Sequence, residues 1–479
     1  MSERIRNTSL EARITTPEEA ARLVKDGMTV GMSGFTAVGY PKAFPTALAQ
    51  SETKPKITLI TGASVGDELD GNLSRAGIID RRYPYQTNKS IRDLINRNEV
   101  KYVDMHLSHV PLWIKNNWFG KIDLAVIEAA AVNADGSIVP TTSVGCADAL
   151  IKAAEKVVVE INTCIPAGIE DLFDIYTPEK VPFTKPIPIE KPGDRIGTKA
   201  IPCDPEKIAA IIFCDIPDGN SELKEADDTM KAIASNLIAF LQAEVKADRL
   251  ANPLPPLQSG VGGVANAVLS CLAESDFEDL TVYTEVMQDA VVKLLDSGKV
   301  KVASATALTI SPSKKDAFFE NIGNYAGKII LRPEEISNSP EVIRRLGVIA
   351  MNTALEADLG GNVNSTHVSG TRVMNGIGGS GDFARNAGLT IFTTASTAKN
   401  GTLSCIVPQV THIDHTEHDV DVIITEQGAA DIRGLTPYEK ARVIIDNCAH
   451  PDFKPALNEY LEKAIEKNLG HGLPSPAQL

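Results

Sequence analysis

A glutamate stands at the end of a β-prone run. Leu280-Thr281-Val282-Tyr283-Thr284 is dominated by β-branched and aromatic side chains, and Glu285 follows directly. In a parallel α/β sheet, ligands bind beyond the carboxyl ends of the strands, so a carboxylate there is well placed for chemistry. A carboxylate is a weak nucleophile, and it becomes a useful one only where charge developing on its target is stabilised. An isolated glutamate reads more plainly as a helix cap or a surface acid. The catalytic reading of Glu285 therefore depends on the other motifs.

The strongest of these is Asn375-Gly376-Ile377-Gly378-Gly379-Ser380-Gly381-Asp382-Phe383, with four glycines in six residues. Packing does not call for so many. Backbone N–H groups converging on one point, as an anion nest or oxyanion hole, do. Ile377 and Phe383 would anchor such a loop, and Lys399, in STAKNG, is a candidate phosphate partner. A second glycine turn, Ser259-Gly260-Val261-Gly262-Gly263-Val264-Ala265, fits G-x-G-x-x-A, and an acid, Glu285, lies further on. That is the dinucleotide pattern. It requires an apolar strand before the first glycine, and the residues there read NPLPPLQS. Prolines argue against a central strand. The turn is expected to open a helix and hold an anion, with a dinucleotide site as the alternative. Finally, His412, His415 and His418 recur at steps of three in HIDHTEH. With no matching Cys or His cluster elsewhere, a hydrogen-bonded turn is favoured over a metal centre.

The elements that would carry these motifs alternate. Apolar runs at 57–61, 123–129, 156–162, 207–213, 280–285, 328–332 and 421–426 predict strands buried on both faces, as in a parallel sheet. Between them, 17–25, 228–246, 286–297 and 437–446 predict helices. The fold class is α/β. At 479 residues the chain exceeds one ordinary core. The acidic, Pro- and Gly-bearing stretch 215–228 divides it into domains 1–220 and 221–479, while Pro-rich 181–197 reads as a surface excursion. The halves echo one another: SGFTAVGYPK, LITGAS and VVVEIN in the first; SGVGGVANAV, VYTEVM and IITEQG in the second. A duplicated fold is the simplest account, with Gly62 standing where Glu285 stands.

Composition narrows the partners. The net charge of −15 disfavours nucleic acid and anionic membranes. Seven scattered cysteines without a C-x-x-C pair suggest a reducing compartment, with neither a disulfide frame nor a Cys-based zinc site. The N-terminal MSERIRNTSLEAR lacks the apolar stretch of a secretory leader, and no apolar run is long enough to span a bilayer.

Taken together, SGFTAVGYPK, LITGAS, LQSGVGGVANAV, YTEVMQD, ISNSPEVIRRLG, GNVNST, RVMNGIGGSGDF, IDHTEHD and TEQGAADIRGL resemble the class I CoA-transferases, in the acetyl-CoA hydrolase/transferase group. The resemblance runs in order along almost the whole chain. It implies two similar α/β domains with the active site between them, and CoA exchange between short carboxylic acids, succinate and acetate first among them. Acyl-CoA hydrolysis is the alternative. It implies that Glu285 is the nucleophile, forming an acyl-glutamyl anhydride and then a glutamyl-CoA thioester. Gly379 and Asn338 become the oxyanion and acyl-orienting groups, and Glu426 a second active-site carboxylate. Ser259, Gly260, Val261, Gly262, Gly263, Asn375, Gly379 and Lys399 become contacts for coenzyme A, the co-substrate. Ser64 and Thr87 become holders of the acid. A homodimer in the cytoplasm, or an organelle matrix in a eukaryote, with no metal, no membrane and no nucleic acid, completes the expectation. Gly263 departs from the family pattern, in which Asn is common there.

Overall fold

The computed structural model describes residues 2–222, 225–467 and 472–475. The chain forms two compact units. The first comprises Met1–Glu222, Tyr283–Asp289 and Val302–Val342; the second comprises Leu223–Val282, Ala290–Lys301 and Ile343–Leu479. The segments carrying Glu285 and Asn338 thus fold with the N-terminal unit, although they lie beyond residue 220.

The first unit is built on seven strands in the order Ile208–Cys214, Lys156–Asn162, Leu124–Ala129, Thr29–Met32, Ile57–Ile60, Ile79–Tyr83 and Lys101–Tyr102. All neighbours are parallel. Leu124–Ala129, apolar but for Glu128, is buried along its whole length, as a strand covered on both faces must be. Strand order reverses between Thr29–Met32 and Leu124–Ala129, so the crevice beyond their carboxyl ends is a topological switch point. The segments Phe35–Thr36 and Ala63–Ser64 lie past the ends of Thr29–Met32 and Ile57–Ile60 and pair with each other.

Charge is buried close by. The helix Ala43–Gln50 has no side-chain cap from its own N-cap residue. Instead the Glu160 carboxylate accepts from the N–H groups of Lys42, Ala43 and Phe44 at 2.6, 3.0 and 2.8 Å. The Lys42 ammonium is fully buried between Glu128 and Asp218. Burial opposes its charge, but the two carboxylates prevail and hold its pKa well above the usual lysine value.

In the second unit, Leu257–Ser259, Ile349–Thr353, Leu389–Thr393 and Val422–Thr425 form parallel neighbours, with Gly428–Asp431 antiparallel at the edge. Leu280–Tyr283 pairs on the other side of Leu257–Ser259 through Leu257 and Val282. The order reverses beside Leu257–Ser259, which places the Ser259–Gly263 turn at this sheet's switch point. The helices Asp228–Lys246, Gly263–Glu274, Pro437–Cys448 and Lys454–Glu466 accompany the sheet. Asp227 caps the first of them by accepting from the Met230 N–H.

Three expectations are corrected. A strand does precede the glycine turn, and it is central. The prolines at 253, 255 and 256 fall before Leu257, so no ladder donor is lost, and the Pro256 carbonyl accepts from the Ile349 N–H at 2.9 Å. Residues 286–288 form a strand rather than the start of a helix, because they pair in parallel with Ala307–Thr309. The helix expected at 17–25 spans only Pro17–Ala21. No described helix is long and apolar enough to cross a membrane.

Candidate active site

Glu285 occupies the break between Leu280–Tyr283 and Val286–Gln288. The backbone there is pinned: Thr284 N–H donates to Ser304 O at 2.9 Å, and Thr306 and Ala307 donate to the Glu285 carbonyl at 2.9 and 3.0 Å. The side chain is half-buried. Asn338 Nδ2 donates to its Oε1 at 3.1 Å. Asn338 is itself buried and oriented, since Ser337 Oγ donates to Asn338 Oδ1 at 2.8 Å and the Asn338 N–H bonds Glu334 O. With its oxygen committed, the amide must present N–H to the carboxylate. The structure thus brings together two of the four expected catalytic residues, 53 positions apart in sequence.

Around this pair lies a set of buried polar groups with unmet hydrogen-bonding capacity. Ser64 Oγ, Thr36 Oγ1 and both amide atoms of Gln86 have no protein partner among the described residues. The residues next to them, Ala63, Phe35 and Tyr85, pack with Val286 and Ala307 in one apolar cluster. Thr36 and Ser64 are register partners, and buried polar atoms are nearly always satisfied, so these groups are candidates for holding a polar ligand. Thr36 also holds φ at +53°, a conformation that a β-branched residue adopts only when its surroundings impose it. The Tyr85 hydroxyl is kept protonated, first by burial and then by the charges of Glu285 and Asp104, so it is a donor. Thr87, half-buried, follows Gln86.

Ser64 and Thr87 were expected here; Thr36, Tyr85 and Gln86 were not. One signal was available for Thr36. In the repeat, SGFT aligns with SGVG, which sets Thr36 against Gly262, and Gly262 also has positive φ, +124°. At Gly62, the counterpart of Glu285, an added Cβ would meet the end of the Glu334 carboxylate, which would have to shift to admit a side chain.

The other expected residues lie in the second unit. Glu426 follows the strand Val422–Thr425 and accepts from Ser396 N–H at 2.8 Å, from Ser396 Oγ, and from Gln427 Nε2 at 3.0 Å. Burial opposes its ionisation, but these donors outweigh it and lower its pKa below the usual carboxylate range. Gly262, the N-cap of Gly263–Glu274, has no side chain with which to cap this helix, and the first N–H groups of the helix are candidates for holding an anion. The glycine at 263 has a packing reason: a Cβ there would meet Met230 Sδ at 2.5 Å. Gly379 is buried at the start of the short helix Ser380–Ala384, and Asn375 Nδ2 bonds Ser365 O and Gly376 O. Lys399 is exposed, in the turn joining Thr397–Ala398 to Leu403–Ser404.

The three histidines of HIDHTEH do not converge. His412 stacks on His367, His415 is buried against Phe392, and His418 is exposed. Elsewhere, Glu128, Glu160 and Cys214 bring potential ligand atoms within 4.8 Å of one another. Lys42 and the start of the Ala43–Gln50 helix already occupy the carboxylates, and burial, then Glu160 and Glu128, keep the Cys214 thiol protonated. This cluster is a salt-bridged core element.

Comparison with known proteins adds the decisive observation. Residues 1–213 match the acetyl-CoA hydrolase/transferase N-terminal domain, and residues 315–461 match the C-terminal domain of the same family. The chain belongs to the acetyl-CoA hydrolase/transferase family. It is 51% identical to succinyl-CoA:acetate CoA-transferase of Clostridium kluyveri over 98% of its own length and 88% of that protein's. It is 44% identical to acetyl-CoA hydrolase of Neurospora crassa, over 98% and 93% respectively. The crystal structure of RipA from Yersinia pestis superimposes with a TM-score of 0.72, at 24% identity, covering 95% of this chain and 97% of that one. The chain is therefore an enzyme of the CoA-transferase type.

Proposed function

We propose that the protein exchanges CoA between short carboxylic acids, with succinyl-CoA and acetate as the first pair to test, and that Glu285 carries the covalent intermediates. The observation that supports this most directly is the Asn338 Nδ2–Glu285 Oε1 hydrogen bond on a pinned strand end. The Glu285 carboxylate attacks the thioester carbonyl. A C–O bond forms, the C–S bond breaks, and CoA thiolate leaves with the electron pair, giving an acyl-glutamyl anhydride. The thiolate then attacks the glutamyl carbonyl and expels the first acid as its carboxylate. An incoming carboxylate reverses both steps from the glutamyl-CoA thioester. Amide N–H donors stabilise the tetrahedral oxyanions, a role assigned to Asn338 and the Gly379 backbone; one such donor is typically worth about 3–4 kcal/mol. Ser64, with Thr36, Gln86 and Thr87 beside it, is assigned to the acid's carboxylate. Glu426, held ionised, is assigned as the second carboxylate of the site. The Ser259–Gly263 turn, Asn375 and Lys399 are assigned to the CoA body, whose binding offsets the cost of the anhydride.

Similarity to acetyl-CoA hydrolases supports a second reading, in which water takes the acceptor's place at the same thioester. Incubation with acyl-CoA alone, followed by mass spectrometry of the Glu285 peptide, separates the two. A stable CoA-sized adduct that an added acid discharges supports transfer. Steady acid release without acceptor supports hydrolysis. Glu285→Ala is expected to fold normally and lose nearly all activity; wild-type turnover in this variant would refute the assignment.

A further inference from the structure

The histidine-rich segment 412–418 is absorbed neither by metal binding nor by the roles above, yet two of its consecutive residues grip the glycine-rich loop at both ends. At the start of the loop, the Asp414 carboxylate accepts from Ser365 N–H at 2.7 Å and from Thr366 Oγ1 at 2.9 Å. Ser365 and Thr366 in turn hold the loop entrance: Ser365 O accepts from Asn375 Nδ2 at 3.1 Å, and Thr366 O from the Met374 N–H at 2.8 Å. At the end of the loop, Ser380 Oγ donates to Ile377 O at 2.8 Å and lies 3.1 Å from His415 Nε2. A hydroxyl has one proton. With Ile377 O taking it, the matching tautomer of His415 is the one that donates from Nε2–H. The ring is fully buried and lies against Phe392, with centroids 4.6 Å apart. The dipeptide is itself tied down, because Asp414 N–H and His415 N–H both donate to Val363 O, and Val363 N–H donates to His415 O.

We propose that Asp414 and His415 are positioning residues for the loop 375–380, fixing its backbone so that the Gly379 N–H points where an oxyanion forms. This rests on the reading that the loop serves acyl transfer. Neither residue touches substrate; His415 acts through Ser380, and Asp414 through Ser365 and Thr366. Three glycines, 376, 378 and 379, give the loop many accessible conformations. A preorganised oxyanion donor requires one of them. A buried imidazole suits the task because its rigid ring delivers a single N–H at a fixed distance from the core.

The test is a double-mutant cycle with a rescue. Ser380→Ala and His415→Leu should each lower kcat about three- to tenfold, the worth of one neutral hydrogen bond. KM for acyl-CoA should change far less. The double variant should be no slower than the slower single one, because both remove the same contact. His415→Gln, whose amide N–H can reach a similar position, should recover part of kcat over His415→Leu. His418→Ala, at an exposed position, is the control and should match wild type. Asp414→Asn keeps the shape but puts a donor where Ser365 N–H and Thr366 Oγ1 donate, and should reduce kcat without a comparable loss of melting temperature. Strictly multiplicative effects of Ser380→Ala and His415→Leu, or wild-type kcat in His415→Leu, would overturn the proposal. So would kcat losses that merely track melting temperature across the set. Glu285→Ala in the same series keeps the two questions apart. If it is inactive while the His415 variants are normal, only the positioning role fails. If it is active, the acyl-transfer reading fails.

Discussion

Replacing Asn338 tests the centre of the site, because the structure fixes both the size and the order of the effects. Asn338→Ala removes the Nδ2 donor that meets Glu285 Oε1 at 3.1 Å. The change should leave no new orphan at Ser337, whose hydroxyl can turn to Glu334 O at 3.4 Å. Folding should therefore be little disturbed, and the loss should fall on chemistry. A hydrogen bond to a charged group is worth about 1.5–3 kcal/mol, which corresponds to a drop in kcat/KM of roughly 10- to 150-fold. Asn338→Asp has nearly the same volume but places a second carboxylate beside Glu285. Two carboxylates at hydrogen-bond distance cannot both ionise easily, so the pair should retain a proton near neutrality and the nucleophile should be partly disarmed. This variant should be slower than Asn338→Ala at pH 7, and its rate should climb toward alkaline pH as the shared proton is lost. The assay is kcat/KM for acyl-CoA with a saturating acid acceptor from pH 6 to 9, with the Glu285–CoA adduct followed in parallel by intact mass. Asn338→Ala within about threefold of wild type would refute the reasoning. So would Asn338→Asp outperforming Asn338→Ala at neutral pH.

Two further predictions follow from the first unit. Ser64→Ala deletes a buried hydroxyl that has no protein partner, so thermal stability should be unchanged or slightly higher, while KM for the acid acceptor rises about tenfold or more; an unchanged KM would remove Ser64 from the carboxylate site. Burial pushes the Glu335 carboxyl from the ordinary 4.5 up to about 7 against the pull of Lys115, so the folded state holds a proton that the unfolded state releases. Its contribution to stability therefore declines as pH rises from about 4.5 to about 7, and Glu335→Gln should flatten that decline in denaturant midpoints measured at pH 5 and 7.5; an identical pH slope in the variant would refute the assignment.

The parts of this architecture legible in the sequence are those specified locally. Lys156–Asn162 is rich in Val and Ile, and Asp228–Lys246 is a long capped helix; both form over the residues expected. Leu257–Ser259 was hidden because three residues preceded by prolines carry no periodic signal, and only their neighbours in the sheet make them a strand. Val286–Gln288 was taken for helix because its pairing partner, Ala307–Thr309, is distant in the chain. At the site, Glu285 was visible at a strand end and Asn338 through family likeness. The polar atoms of Thr36 and Gln86 were not, since a side chain's lack of partners depends on what packs around it. The histidines illustrate the reverse case: their spacing suggested a shared ligand, whereas His415 is committed to Ser380 and Phe392.

The way the chain is threaded has a consequence for how this enzyme could be cut or rearranged. The polypeptide leaves the first unit at Glu222, then returns to it for Tyr283–Asp289 and again for Val302–Val342. A fragment ending near residue 220 would lack both Glu285 and Asn338, and the complementary fragment would carry them without the sheet against which they fold. Gene fission at the obvious linker would therefore yield two incomplete halves, and a break after Val342 would keep the first unit whole only by parting Leu223–Val282 and Ala290–Lys301 from the rest of the second.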